Sequence, residues 1–269
     1  RPPGATLEVG SGDGALWRSG GGALLDALRA GPLHMTDTDE ALIASRRAQP
    51  LFARPGVERT VADVEDLPFR GGAFQRVLAT HVLHWCATPE RVLRATRELA
   101  RVLASEGRAL IITVDEEIHM REVYALLHDA RAALLARGVA CPEEMPAAAP
   151  RVMPFCAGNA RRFLDDAFAR VQRVDLRYAH LVDDVHPALG VRGEDFFVGY
   201  LRTLPFLKEA LVRGTVPEAL FTEARRLFRE AMMRDRHFRF SRCDVLYDCS
   251  ESRGDRAGPS PNAATPDEE

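Results

Sequence analysis

The sequence predicts a doubly wound α/β domain, a mainly parallel sheet with helices on both faces. Three observations predict it. Short β-like runs alternate with helical stretches as far as Val114, the first run opens into Gly10-Ser11-Gly12-Asp13-Gly14, and an acid stands at the end of each of the first three strands.

Strands are expected at Thr6 to Val9, Leu33 to Thr36, Arg59 to Ala62, Arg76 to Ala79 and Ala109 to Val114. Between them fall helices at Ala23 to Ala30, Glu40 to Ala48 and Pro89 to Leu103. The last carries Val92, Leu93, Thr96, Leu99, Val102 and Leu103 near helical period. Gly20-Gly21-Gly22 should shorten the first helix, since each glycine costs about 1 kcal/mol in a helix interior. After Val114 the pattern is mostly helical: His119 to Arg137, a Pro- and Ala-rich linker from Pro142 to Pro154, then Ala160 to Phe168. A strand at Val171 to Tyr178 follows, then helices at Glu194 to Val212 and Pro217 to Met233, the second with Thr215 as cap and Pro217 in its first turn. His237 to Cys249 reads as a closing strand, and the Pro-, Ser- and Gly-rich tail 250–269 as disordered. The organisation expected is one domain, 1–249, with helical cap insertions at about 115–168 and 184–235.

Composition narrows the function classes. With 46% hydrophobic and 28% charged residues in 269, a buried core is assured and global disorder is excluded. A net charge of -3 argues against a nucleic-acid partner, which calls for a basic excess. Arg161-Arg162 and Arg225-Arg226 read as solvated helix faces. Cys86, Cys141, Cys156, Cys243 and Cys249 form an odd set without a CxxC pair, which points to a reduced, cytoplasmic protein rather than a disulfide framework or zinc site. No run approaches the roughly 18 apolar residues of a membrane span, and RPPGATLEV lacks a secretory pattern. The chain opens without methionine, directly into its first strand, which reads as a fragment, a processed form or a trimmed form. Oligomeric state is left open.

Three segments carry the chemistry. In Leu7-Glu8-Val9-Gly10-Ser11-Gly12-Asp13-Gly14 the glycines let a ligand approach the backbone. Gly10, Gly12 and Ala15 also satisfy the dinucleotide pattern GxGxxA, so the glycines alone do not choose between a nicotinamide cofactor and another nucleoside. Glu8 tilts the choice, because a carboxylate there is an awkward neighbour for a pyrophosphate and suits an ammonium group. Asp37, closing Leu33-His34-Met35-Thr36, can accept from both hydroxyls of a ribose, whereas Asp39 reads as the cap of the next helix. In Val61-Ala62-Asp63-Val64-Glu65-Asp66, Asp63 can accept an adenine amine while Val64 offers an amide and an apolar edge; the competing role for Asp63 is turn former.

Taken together, LEVGSGDG, LHMTDTD, VADVEDLPF, FQRVLATHVLHW and ELARVLASEGRALIIT resemble the class I S-adenosylmethionine-dependent methyltransferases, specifically the small-molecule type 11 group, over about residues 5–114. The resemblance implies a Rossmann-like sheet ordered 3-2-1-4-5-7-6 with an antiparallel seventh strand, here His237 to Cys249, and cap insertions over the acceptor pocket. It implies S-adenosyl-L-methionine as cofactor, held by Glu8, Gly10, Ser11, Gly12, Asp37, Thr38, Asp63, Val64 and Thr80, and a small-molecule acceptor. Thr80 and His81 would face the methionine carboxylate and the transferred methyl. The chain departs from the family pattern at Gln75, where an acid is usual, at Ser105-Glu106-Gly107, where Pro-Gly-Gly is usual, and in lacking helices ahead of the first strand.

Methyl transfer needs alignment and, for some acceptors, a base. His81 is the first candidate, ahead of His84 and His119, with a hydrogen-bonded structural histidine as the alternative. Trp85 and Phe155 are candidates for lining an acceptor pocket or for core packing. No HxxxH or HExxH metal motif and no GxSxG elbow occurs. Two rivals remain: a protein that binds S-adenosylmethionine without transferring its methyl, and a nicotinamide-dependent oxidoreductase.

Overall fold

A computed structural model of the chain describes residues 4–14, 16–17, 31–44, 51, 53–115, 121–141, 153–182, 185–186, 191–192, 197–199, 201–202, 207, 214 and 216–253. The Gly20-Gly21-Gly22 run, the helix expected at Ala23 to Ala30, His119, Thr215 and nearly all of the Pro142 to Pro154 linker lie outside these residues, as does most of the helix expected at Glu194 to Val212.

Seven strands form one sheet: β1 (Thr6–Val9), β2 (Leu33–Asp37), β3 (Val57–Val61), β4 (Phe74–Thr80), β5 (Leu103–Val114), β6 (Phe168–Val182) and β9 (Phe238–Ser252). Their order is β3-β2-β1-β4-β5-β9-β6, with a short ribbon, β7 (Val185–His186) and β8 (Val191–Arg192), apart from it. Strands β1 to β5 pair in parallel, and β9 runs antiparallel to β5 with Ala109 opposite Cys249 and Val114 opposite Asp244. This is the order expected from the sequence, with β9 as the expected seventh strand between β5 and β6. Both faces of the central strands are covered, so Leu7, Val9, Met35, Val77, Ala79, Ala109 and Ile111 are all buried.

Helix α1 (Glu40–Ile43) is capped by Asp39, whose Oδ1 accepts from the amides of Ala41 and Leu42. Helix α2 (Pro89–Val102) starts at Thr88, whose hydroxyl accepts from the Arg91 amide, and buries Val92, Ala95, Thr96, Leu99 and Val102 along one stripe. Helix α3 (Arg121–Ala136) follows β5, α4 (Ala160–Ala167) precedes β6, and α5 (Glu218–Asp235) precedes β9.

Three expectations need correction. Helix α5 opens at Glu218 with Pro217 as its N-cap residue, because proline's fixed φ suits that place as well as the first turn. Strand β9 runs on to Ser252, so Ser250 to Ser252 belong to the sheet rather than to the tail; Ser250 pairs with Arg108 of β5, which outweighs its polar character. The fifth strand starts at Leu103, six residues early, because an irregularity in its pairing with β4 absorbs Ser105-Glu106-Gly107.

Contacts group the chain into two units. The first comprises 1–114, 153–175 and 244–269 and holds the paired strands β1 to β5. In it Phe155 is fully buried, Ala157 donates to the Val114 carbonyl, and Tyr247 donates to the Ala157 carbonyl, so the segment after Met153 packs as core rather than as cap. The second unit comprises 115–152 and 176–243. There the buried Glu223 of α5 accepts from Arg137 at 2.6 Å and Arg226 at 2.7 Å, and the rings of Phe197 and Phe228 stack at 4.4 Å. All five cysteines are free, and no described helix is long and apolar enough to cross a membrane.

Candidate functional site

The C-terminal ends of β1, β2, β3 and β4 open onto a cavity of about 370 Å³, lined by Gly10, Gly12, Thr36, Asp37, Thr38, Leu42, Ala62, Val64, His81, Val82 and Trp85. That size suits a drug-sized ligand, and the place is where open α/β sheets bind theirs.

The glycine turn is required by geometry. Gly10 has φ of +63°, and a Cβ added there would stand 2.4 Å from the Val82 side chain. Gly12 has φ of +55°, but a Cβ added there meets nothing within 4 Å, so its free side faces open space. The Ser11 amide donates to the Thr36 carbonyl at 2.9 Å, tying the turn to β2. The buried Ser11 hydroxyl has no hydrogen-bond partner among the described residues, which is the signature of a polar group kept for a ligand.

Asp37 ties the two loops together. Its Oδ2 accepts from the Gly12 amide at 2.8 Å and its Oδ1 from the Asp39 amide at 2.9 Å. A carboxylate has about four acceptor sites, so each oxygen keeps capacity for a hydroxyl of a bound ribose. Glu8 lies beneath the turn, 3% exposed, and accepts from the Trp17 indole N–H. Burial pushes its carboxyl up to about 7, the Trp17 bond works against that shift, and the charge of Asp37 adds to it.

The fourth strand ends in Thr80, and the next residue, His81, has left-handed backbone with φ of +54°. Its amide donates to Ile112 O at 2.9 Å, which holds the turn. The ring borders the cavity, and Nε2 stands 3.4 Å from Oδ2 of the buried Asp244. The next residues form a 3₁₀ turn, Leu83–Trp85, with Leu83 buried and Trp85 69% exposed at the cavity rim.

Of the residues chosen from sequence, the structure gathers Gly10, Gly12, Asp37, Thr38, Val64 and His81 around the cavity; Glu8, Ser11 and Thr80 adjoin it in sequence without lining it. Asp63 turns elsewhere: its Oδ1 accepts from the Glu65 amide at 3.0 Å and its Oδ2 lies 3.6 Å from Arg91, the turn-forming role weighed against adenine binding. Thr36, Leu42, Ala62 and Val82 were not singled out in the sequence. Thr36, Ala62 and Val82 left a signal as the neighbours of Asp37, Asp63 and His81, whereas Leu42 is brought to the cavity by α1.

A larger cleft of about 860 Å³ lies at the start of β5, beside Arg97, Arg101 and Arg253. Arg97 is held by Asp166 and Arg101 by Glu98, and Arg253 donates to the Phe168 carbonyl. It carries no set of groups for chemistry. Among the described residues no three His, Cys, Asp or Glu side chains cluster to hold a metal.

The sheet order, the antiparallel last strand and the glycine turn facing a carboxylate define a class I nucleoside-cofactor domain. Residues 7–111 match the family model of the methyltransferase domain Methyltransf_11, so the chain carries a class I S-adenosylmethionine-dependent methyltransferase domain, and the cofactor implied is S-adenosylmethionine. The chain is similar to malonyl-[acyl-carrier protein] O-methyltransferase of Geobacter sulfurreducens, 38% identical over 107 residues, 39% of this chain and 36% of that protein. It is also similar to tRNA (carboxymethyluridine(34)-5-O)-methyltransferase alkbh8 of Xenopus tropicalis, 44% identical over 54 residues, 20% of this chain and 9% of that protein. The matched segments thus span well under two thirds of either relative's length. Among solved structures, the BH2331 protein of Bacillus halodurans C-125 shares the fold, with a TM-score of 0.54 at 13% identity over 93% of this chain and 94% of that one.

The residues present fit this cofactor. The open side of Gly12 and the remaining acceptor capacity of Asp37 face one nucleoside-sized space, and the orphaned Ser11 hydroxyl lies in the turn between the two glycines.

Proposed function

We propose that this chain transfers a methyl group from S-adenosylmethionine to a small-molecule acceptor. The observation that carries the reading is the meeting of Gly12 and Asp37 at 2.8 Å in the wall of a cavity that His81 also lines. The cofactor supplies an electrophilic methyl on a positively charged sulfur. Asp37 would accept from the ribose hydroxyls, the glycine turn would bring backbone against the methionine part, and ionised Glu8 beneath it would balance the ammonium. His81 stands where a side chain can take a proton from an acceptor as its lone pair attacks the methyl carbon. The oxygen methylation in the printed name of the Geobacter relative supports a hydroxylic or carboxylic acceptor, the net charge of -3 offers no basic excess for a nucleic acid, and the five free cysteines suit a reducing, cytoplasmic setting.

A second reading, an RNA acceptor, is favoured by the tRNA methyltransferase match over 54 residues. Incubating the chain with methyl-labelled S-adenosylmethionine and either total tRNA or a panel of hydroxylic and carboxylic acids separates the two. Label in the small acids supports the proposal, and label in the tRNA alone would replace it.

A further inference from the structure

Asp244 is an acid buried in a strand otherwise given to core packing. Along β9 the side chains alternate: Cys243, Val245, Tyr247 and Cys249 are each no more than 1% exposed and form the core face, so Asp244 falls on the other face with Leu246 and Asp248. Asp248 accepts from the exposed Arg108. Asp244, 6% exposed, lies opposite Val114, where the Asp115 amide donates to the Cys243 carbonyl at 2.9 Å and holds the register. Strand β5 separates β9 from β4, and the His81 amide is bonded to Ile112 O on the β4 side. The two side chains meet across the end of β5, with Nε2 of His81 3.4 Å from Oδ2 of Asp244.

Nδ1 of His81 is shielded from solvent, whereas the ring borders the cavity and keeps 27% of its side-chain surface exposed. Nε2 is therefore the nitrogen left to receive a proton, and it lies beside the carboxylate. A carboxylate withdrawn from water is stabilised by an opposite charge, and the imidazolium formed by that proton supplies one. Such a pair serves only an acceptor that has a proton to give. A neutral hydroxyl must lose its proton as its oxygen attacks the methyl carbon, while a carboxylic acid is already ionised near neutral pH and needs no base. An acceptor carboxylate would also meet like charges, Asp37 in the cavity wall and Asp244 beside the ring.

We propose that the His81 and Asp244 pair assigns the acceptor to the neutral hydroxyl compounds, with Asp244 as the positioning residue that makes His81 the proton acceptor. The inference rests on the methyltransferase reading and narrows its acceptor class. In the step, the hydroxyl oxygen forms the new bond to the methyl carbon, the carbon-sulfur bond breaks with its electron pair left on sulfur, and the hydroxyl proton passes to Nε2 of His81. The products are a methyl ether, neutral S-adenosylhomocysteine and an imidazolium held against Asp244, which returns its proton to water once the products leave.

The test incubates the full chain with methyl-labelled S-adenosylmethionine and matched pairs of phenols or alcohols and carboxylic acids near neutral pH. Label is expected in the hydroxyl members. Asp244→Asn keeps the shape and removes the charge, and is expected to lower kcat for them about 10- to 100-fold with KM and S-adenosylhomocysteine affinity little changed. Combined with His81→Asn it is expected to add little further loss, because both residues act on one proton transfer. His81→Asn alone should slow the hydroxyl acceptors far more than any carboxylate, which keeps the test decisive if Asp244→Asn does not fold. Label confined to the carboxylic acids, equal slowing of both classes, or additive losses in the double variant overturns the inference and leaves the methyl-transfer reading standing. If the wild type labels neither class, the small-molecule reading falls and this inference with it.

Discussion

Nε2 of His81 stands 3.4 Å from Oδ2 of Asp244, a carboxylate buried on β9 opposite Val114 of β5. The pair places an imidazole at the end of β4 with a carboxylate beside it, and the backbone of His81 is left-handed at φ of +54°. Histidine and asparagine tolerate that conformation better than most residues. His81→Asn therefore removes the imidazole with less strain than His81→Ala. With an acceptor supplied, methyl transfer is expected to fall roughly 10²- to 10⁴-fold while S-adenosylhomocysteine affinity changes little. A parallel loss of rate and affinity would assign His81 to binding the methionine end instead.

Glu8 gives a pH dependence of known sign. Its carboxyl is raised from 4.5 to about 7 by burial, so the folded protein holds the proton more tightly than the unfolded chain. The stabilisation is fully present below the unfolded value of 4.5 and is lost as pH rises through about 7. Wild type should lose roughly 3 kcal/mol relative to Glu8→Gln across that window. Urea unfolding of both proteins at pH 5 and pH 8 measures the difference, and an equal stability gap at the two pH values would show that Glu8 is ionised throughout.

Gly10 and Gly12 separate folding from binding. Alanine at Gly10 meets Val82 at 2.4 Å and sits at φ of +63°, so Gly10→Ala should lower both the melting temperature and cofactor affinity. Alanine at Gly12 adds only left-handed strain, about 1–2 kcal/mol, while its methyl enters the ligand space. Gly12→Ala should stay folded and lose binding. Thermal unfolding followed by S-adenosylhomocysteine titration of each variant checks the contrast; equal stability losses would mean that the glycine turn moves freely.

Much of this was legible in the sequence where local rules operate. Glycine turns, Asp39 as a cap and the apolar stripe of Val92, Thr96 and Leu99 each act within a few residues, and the structure shows them where the chain suggests. What the sequence hid depends on distant partners. Strand β9 outran its polar sequence because β5 supplied pairing, Asp244 gained its place beside His81 through that register, and Trp85 stayed exposed because Leu83 and Cys86 took the burial around it. Asp63 accepts from the Glu65 amide, the turn-forming role its loop position also allowed, and its second oxygen lies near Arg91 of α2, a partner that local pattern does not show.

The central claim is that the Gly12 and Asp37 corner holds S-adenosylmethionine. Calorimetric titration of the wild type and Asp37→Ala with S-adenosylmethionine, S-adenosylhomocysteine and NAD tests it most directly. Each charge-assisted hydrogen bond to the ribose contributes about 1.5–3 kcal/mol, so loss of even one should weaken binding at least tenfold. The account predicts saturable binding of both sulfur compounds by the wild type, a loss of that size in Asp37→Ala, and no binding of NAD. Binding of NAD in preference to S-adenosylmethionine, or unchanged affinity in a folded Asp37→Ala protein, would contradict it.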